Sequence, residues 1–147
     1  MNETALQRLC DERDIEQILV RYAVVLDEHQ WSDLDEVFVP NAIATYHGIG
    51  EFAGRDAIRD LVRRALERCG RTQHLLGNYR ISVDGDKATA KCYLQAVHQG
   101  LGNYSQNVMT VWGEYRDRLE RRPEGWRIVH RELEMFKVDG DIGPTLL

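Results

Sequence analysis

The sequence predicts an α+β domain in which a curved antiparallel sheet packs on N-terminal helices and encloses a pocket. Three observations carry this. Helical periodicity dominates the first part of the chain, long runs of strand pattern fill the rest, and one strand face is built of small side chains that leave room. Helices first and antiparallel strands afterwards is the order of a fold whose helices gather on one face of the sheet. Strands longer than about five or six residues normally bend, and a sheet that bends over a helix creates a cavity.

The opening segment places Leu6, Ile15, Ile18, Leu19, Tyr22, Ala23 and Leu26 on one stripe at spacings of three and four. Asp11, Glu12 and Asp14 favour the start of its main part through the helix dipole. The stripe runs to about Asp27, and Glu28-His29-Gln30 breaks it. A second, shorter helix is expected over Trp31 to Phe38, ended by Pro40, so that the two form a helical hairpin. Ala42 to His47 reads as a strand closed by Gly48 and Gly50. Gly54-Arg55-Asp56 then opens an amphipathic helix that ends at Gly70.

Beyond that point strands are predicted over Thr72–Asn78, Tyr79–Val83, Ala88–His98, Asn107–Glu120 and Trp126–Val138. Asp84-Gly85-Asp86 and Pro123-Glu124-Gly125 mark hairpin turns, and Gly100 to Gln106 is a loop. No repeat, linker or low-complexity tract interrupts the 147 residues, which fit one domain spanning 1–147.

Composition narrows the function classes. A net charge of −5 argues against nucleic acid as partner, since such binders show a basic face. Cys10, Cys69 and Cys92 are too scattered for a zinc site or a disulfide framework, and read as reduced thiols of a cytoplasmic protein. The N-terminus lacks the apolar core of a signal peptide, and no stretch approaches the roughly 18 apolar residues of a membrane span. Metal and nucleotide chemistry are not expected. The histidines show neither HxxxH nor HxH spacing, and the glycine pairs at Gly48/Gly50 and Gly100/Gly102 lack a strand-turn-helix context. No cofactor is therefore anticipated.

Of the five histidines, His29 reads as a solvated loop residue, His47 as an exposed strand end, and His130 as a cross-strand partner on the last strand. His74 shares a strand face with Thr72 and Leu76. His98 ends a face made of Ala88, Ala90, Cys92, Leu94 and Ala96, opposite a mostly polar one. A lone histidine on such a face is ordinarily a satisfied core residue. Two of them suggest a general base, because burial keeps imidazole neutral. Asp27, at the end of the apolar helix stripe, reads either as a solvated carboxylate or as a histidine's partner. Tyr22 and Tyr46 are ordinary core tyrosines until a pocket needs their hydroxyls.

RYAVVLDEHQWSDLDEVFVPNAIATYHG resembles the opening of the SnoaL-like group in the nuclear-transport-factor-2-like superfamily. FAGRDAIRDLV, TQHLLGN, the strand ending AVHQG and GWRIVHRELE continue the resemblance in family order over nearly the whole chain. It implies a cone-shaped α+β barrel with a deep pocket, closest to the branch of scytalone dehydratase, bile-acid 7α-dehydratase and the lindane dehydrochlorinase. In that branch a strand histidine is the base and an aspartate at the helix end holds it; the match falls on His74 and Asp27. The resemblance further assigns Tyr22, Tyr46 and His98 to the pocket. A clear counterpart of the later serine and asparagine of scytalone dehydratase is lacking, Asn107 being the one substitute.

What the resemblance implies is cofactor-free elimination or isomerisation of a small hydrophobic cyclic molecule. His74 would take a carbon-bound proton, and His98 or a tyrosine would protonate a departing hydroxyl or polarise a carbonyl. A polyketide-cyclase-like enzyme and a non-catalytic ligand-binding or assembly domain of the same fold are the alternatives. Relatives imply a homo-oligomer, dimer or trimer, with the strand face of Thr110, Trp112 and Glu114 as its contact surface.

Overall fold

The long helix α1 (Glu3–Glu28) begins the computed structural model, which describes residues 3–145. A 3-10 turn (Trp31–Glu36) leads into β1 (Phe38–Tyr46), β2 (Gly50–Ala53) and α2 (Arg55–Leu66). Then come β3 (Thr72–Asp84), β4 (Lys87–Gln99), a 3-10 turn at Gly102–Tyr104, β5 (Val108–Arg122) and β6 (Gly125–Asp139). The architecture is α+β, with helices packed on one face of a six-stranded sheet of order β2-β1-β6-β5-β4-β3.

Two features correct the expectation of an antiparallel barrel. β1 and β6 run parallel, so the sheet is mixed. The sheet is also unclosed, for its edge strands β2 and β3 do not pair with each other. The gap is spanned by helix: α1 lies along β3 and α2 along β1.

Local corrections have local causes. α1 begins by Glu3, well before the acidic cluster, and Leu6 is exposed rather than on the buried stripe. Asp11 is a buried mid-helix anchor instead of a helix start. It accepts Arg121 Nη1–H and Nη2–H at 2.6 and 2.9 Å and Trp126 Nε1–H at 3.2 Å. The hydrogen bonds from Arg121 hold its carboxyl below the ordinary carboxylate range. The second helix is a single 3-10 stretch, and Phe38 already belongs to β1. Pro40 lies inside that strand, in the part where the β1–β6 ladder is interrupted, which is where a residue without an N–H is tolerated. β2 has no strong sequence signal. α2 stops at Leu66, short of Gly70.

Three bulges shape the sheet. Asn78, at φ 53°, gives β3 one extra residue between the Gly77–Tyr93 and Arg80–Lys91 pairs, so the two predicted strands are one. In β6, Val129 is extra between the partners of Leu119 and Arg118, and Phe136 between those of Gly113 and Trp112. β5 and β6 have 15 residues each. At about 3.3 Å per residue they would run near 50 Å if straight. The bulges let them bend across the helices instead.

Beneath the bend lies a core led by Ile15, Leu19, Tyr22, Leu34, Phe38, Ile58, Leu119 and Ile128, all essentially inaccessible. No helix of the described residues is long and apolar enough to cross a membrane. Gly113 marks a close approach of β5 to β6 in the bend, where an added Cβ would lie 2.5 Å from the Glu134 carbonyl oxygen. Gly113→Ala is expected to lower unfolding free energy by about 1–3 kcal/mol in urea titrations. Gly77→Ala, whose Cβ would meet nothing within 4 Å, should change it by less than about 0.5 kcal/mol.

Candidate active site

The inward row of β4, from Ala88 to His98, is buried at every second position. Only its far end, Leu94, Ala96 and His98, borders open space, a cavity of about 90 Å³ between the sheet and the helices. Leu26, Leu61, Leu66, Leu94, Val111 and Leu133 supply much of its apolar wall, and Ile142 and Thr145 of the C-terminal segment complete it. His74, His98, Tyr22, Tyr46 and Tyr115 put polar atoms on that wall.

β3 and β4 set the two histidines side by side. Thr72 pairs with His98 and His74 with Ala96, so the imidazoles are diagonal neighbours on one face. Their ring centroids are 5.5 Å apart, nearly edge to face. His74 Nδ1 lies 2.7 Å from Asp27 Oδ1. A carboxylate can only accept, so Nδ1 carries the proton and Nε2 is left as the basic nitrogen. Asp27 also accepts the Thr72 hydroxyl at 2.8 Å and the His74 backbone N–H at 3.0 Å. Burial would raise its pKa, but the His74 ring, the His74 N–H and Thr72 outweigh this and hold it below the ordinary range. Asp27 thus sits behind His74, not on the cavity wall, and remains ionised.

His98 is fixed differently. Its Nδ1 faces the Met109 carbonyl at 3.3 Å, again an acceptor only, so the proton is on Nδ1. Burial, reinforced by the neighbouring His74, lowers its pKa from 6.5 to about 4. On the opposite side, Tyr22 and Tyr46 share a hydrogen bond of 2.5 Å. One hydroxyl donates to the other, so one phenolic proton remains free to donate. Burial raises both tyrosines, Tyr46 strongly, which makes them donors that keep their protons.

The sequence reading missed the charged pair behind these tyrosines. Arg131 and Asp117 are wholly buried and joined by two hydrogen bonds, Nε to Oδ1 at 2.8 Å and Nη2 to Oδ2 at 2.7 Å. The guanidinium carbon lies 4.2 Å from the Tyr22 ring centre and 4.0 Å from that of Tyr115. Burial opposes its charge, yet Asp117 and the tyrosines more than offset that and raise its pKa. A signal existed: Asp117 interrupts the inward row Met109, Val111, Tyr115 and Leu119. Arg131 gave none, because the Val129 bulge reverses the alternation of β6.

The remaining histidines lie elsewhere. His29 is exposed at the helix break and stacks on Trp31 at 4.8 Å. His47 pairs with Glu132 at 3.0 Å on the outer surface, and His130 Nε2 meets Thr45 Oγ1 at 3.2 Å. Among the described residues no group of His, Cys, Asp and Glu could hold a metal ion. Asn107 uses its amide to reach the Asp141 carbonyl at 3.0 Å and is exposed.

Comparisons agree on where this chain belongs. A SnoaL-like domain model matches residues 7–132. An uncharacterised protein of Mycobacterium tuberculosis, Rv2910c, is 33% identical over 137 residues, covering 90% of this chain and 91% of its own. Among solved structures, hexachlorocyclohexane dehydrochlorinase LinA-type3 from Novosphingobium barchaimii superposes with a TM-score of 0.82 at 21% identity, over 96% of this chain and 97% of that one. A scytalone-dehydratase-type protein from Novosphingobium aromaticivorans gives 0.79 at 21% identity, over 99% and 95%. At such identities the structural likeness speaks for the fold alone.

Two outcomes follow from these buried charges. Arg131→Met should cost about 3–5 kcal/mol in chemical denaturation, because Asp117 is left buried and unpaired. The Arg131→Met/Asp117→Leu double variant should recover most of that loss. His98 makes stability pH-dependent, since its folded pKa is depressed. Its contribution is fully present above pH 6.5 and is lost as pH falls toward about 4, by up to about 1.4 kcal/mol per unit. His98→Gln should therefore lack that portion of the acid destabilisation in denaturation curves taken between those pH values.

Proposed function

The chain belongs to the SnoaL-like domain family, and on that premise we propose that it is a cofactor-independent lyase or isomerase, of dehydratase type, for a small hydrophobic cyclic substrate. The observation that carries this reading is the His74 imidazole in an apolar cavity, with Nδ1–H held by an ionised Asp27 and Nε2 left basic.

His74 Nε2 takes a proton from the carbon next to an activating carbonyl. Asp27 fixes the tautomer and stabilises the imidazolium that forms. The free phenolic proton of the Tyr22–Tyr46 pair hydrogen-bonds the carbonyl oxygen as it gains negative charge. In an elimination, electrons of the broken C–H bond form the new C=C bond and a β-hydroxyl leaves. The proton on His74 then passes to that hydroxyl, giving water and restoring neutral imidazole. In an isomerisation it returns to another carbon. His98 suits neither donation, because its one proton is committed to Met109 and its second is held only at acid pH. The tyrosines, raised in pKa, serve better as hydrogen-bond donors than as acids.

Self-association forms part of the proposal. Leu75 and Tyr93 stand exposed on the outer sheet face beside Trp112, and Val97 pairs with Thr110 there. Such apolar side chains favour a homo-oligomer, dimer or trimer, built on this face. Light scattering should give a multiple of 17.0 kDa at micromolar concentration; the monomer mass would overturn the proposal.

The catalytic reading is tested with β-hydroxy cyclic ketones screened for loss of water. On any substrate found, His74→Ala should lower kcat by at least about 10²–10⁴-fold while the far-UV circular dichroism is kept. Asp27→Asn should leave residual turnover above that of His74→Ala, and Tyr46→Phe should reduce kcat more than it raises KM. Chelator should change nothing. Wild-type turnover by His74→Ala on a confirmed substrate would sink the mechanism and turn the cavity into a binding site.

A further inference from the structure

Hydrogen-bonding atoms are few on the cavity wall, and their polarity is fixed by what stands behind them. No Lys, Arg, Asp or Glu is among the lining side chains. The Cys69 thiol is already used on the Leu66 carbonyl. The phenols offer a donor where Tyr22 meets Tyr46. The imidazoles offer acceptors, because each has its Nδ1–H committed, His74 to Asp27 and His98 to Met109.

Two consequences bear on what can enter. An anionic ligand would find no counter-charge on the wall and only the phenolic donor of the Tyr22–Tyr46 pair. The nearby cation, Arg131, is fully buried, doubly bonded to Asp117 and screened by the rings of Tyr22 and Tyr115. The nearby carboxylate, Asp27, would repel it through His74. A buried anion without a counter-charge or a full set of donors is strongly disfavoured. The second consequence concerns His98 Nε2. His98 lines the cavity with Nδ1–H turned to Met109, so Nε2 is the ring atom left to accept from a ligand, and the other imidazole is engaged with carbon if it serves as the base.

We propose that the pocket selects neutral rather than anionic ring compounds carrying an O–H or N–H donor, and that His98 Nε2 is the atom that receives that donor. The inference rests on the reading of His74 as the carbon base, and it divides the work between the imidazoles: His74 acts on a C–H bond while His98 recognises a polar hydrogen. Burial keeps His98 an acceptor throughout the neutral range, so its selectivity would not change sign with pH until strongly acid conditions.

Three one-ring probes test this without turnover: phenol, its methyl ether anisole, and benzoate. Met109 and Met135 both line the cavity, so their methyl resonances in ¹³C-methionine-labelled protein report occupancy at pH 7.5. Phenol should bind roughly tenfold more tightly than anisole, since a site made for a hydrogen bond discriminates against the ligand that lacks it. Benzoate should move neither methyl at concentrations that saturate with phenol. In His98→Leu the preference for phenol over anisole should fall to about one, whereas His98→Gln, whose amide oxygen can accept, should keep it.

Binding of benzoate comparable to phenol would overturn the ligand class, and an undiminished preference in His98→Leu would overturn the role of His98. Failure of all three probes to move either methyl would overturn both. Turnover by His74→Ala is a separate readout. Should benzoate bind while that variant is still inactive, the ligand class falls and the base stands.

Discussion

A guanidinium buried to zero exposure between two aromatic rings is the constraint around which this molecule is arranged. A charge so far from water is tolerable only with an excellent partner, and Asp117 supplies two parallel hydrogen bonds. Tyr22 and Tyr115 present their electron-rich faces to the same group. Tyr22 comes from α1, Tyr115 and Asp117 from β5, and Arg131 from β6, so one interaction ties the helix to the two longest strands. The rotation of α1 is thereby set. Asp11, eleven residues before Tyr22 and so on nearly the same face, is fixed on Arg121 and Trp126. Five residues beyond Tyr22, Asp27 reaches the start of β3.

This arrangement explains why the cavity can be apolar and yet hold ionised groups nearby. Every full charge near it is held one layer behind the wall: Arg131 paired with Asp117, and Asp27 hydrogen-bonded by Thr72 and His74. What faces the interior are two imidazoles and a pair of phenols. Their hydrogen bonds to the layer behind fix which atom donates and which accepts. Orientation of this kind costs no rearrangement when a ligand arrives.

How much of this the sequence discloses depends on whether alternation holds along each strand. On β4 it holds throughout, and the row from Ala88 to His98 was legible together with its one titratable end. His74 and Thr72 were legible as neighbours on one strand face, though not as facing inward. Tyr22 could be placed on the buried stripe of α1 and Asp27 only beside it, open between solvent and a histidine; their partners are dozens of residues away and lie beyond any periodicity, and only the family resemblance linked Asp27 to His74. Where an extra residue enters a strand, the reading fails. The Val129 bulge turns Arg131 inward and leaves His130 outside, reversing what counting by twos gives. Strand pairing was obscured for another reason. β1 meets β6 parallel through the longest possible separation in the sheet, and nothing local to either strand encodes its partner.

The same bulges connect the shape of the sheet to its chemistry. A 15-residue strand that kept strict alternation would place every second side chain on one gently twisted face, and the helices could cover only part of it. Bulges at Val129 and Phe136 bend β6, and Gly113 permits β5 to follow where the two backbones come close. The narrow end is thereby filled with large side chains such as Trp126 and Ile128. The other end holds the cavity, bordered by Ala96 and the two histidines. Converting Asp117 and Arg131 to apolar residues would preserve much of the packing, yet it would remove the charge that fixes Tyr22 and Tyr115 from behind. The buried pair is therefore better understood as an orienting device for the phenol side of the cavity than as a source of stability.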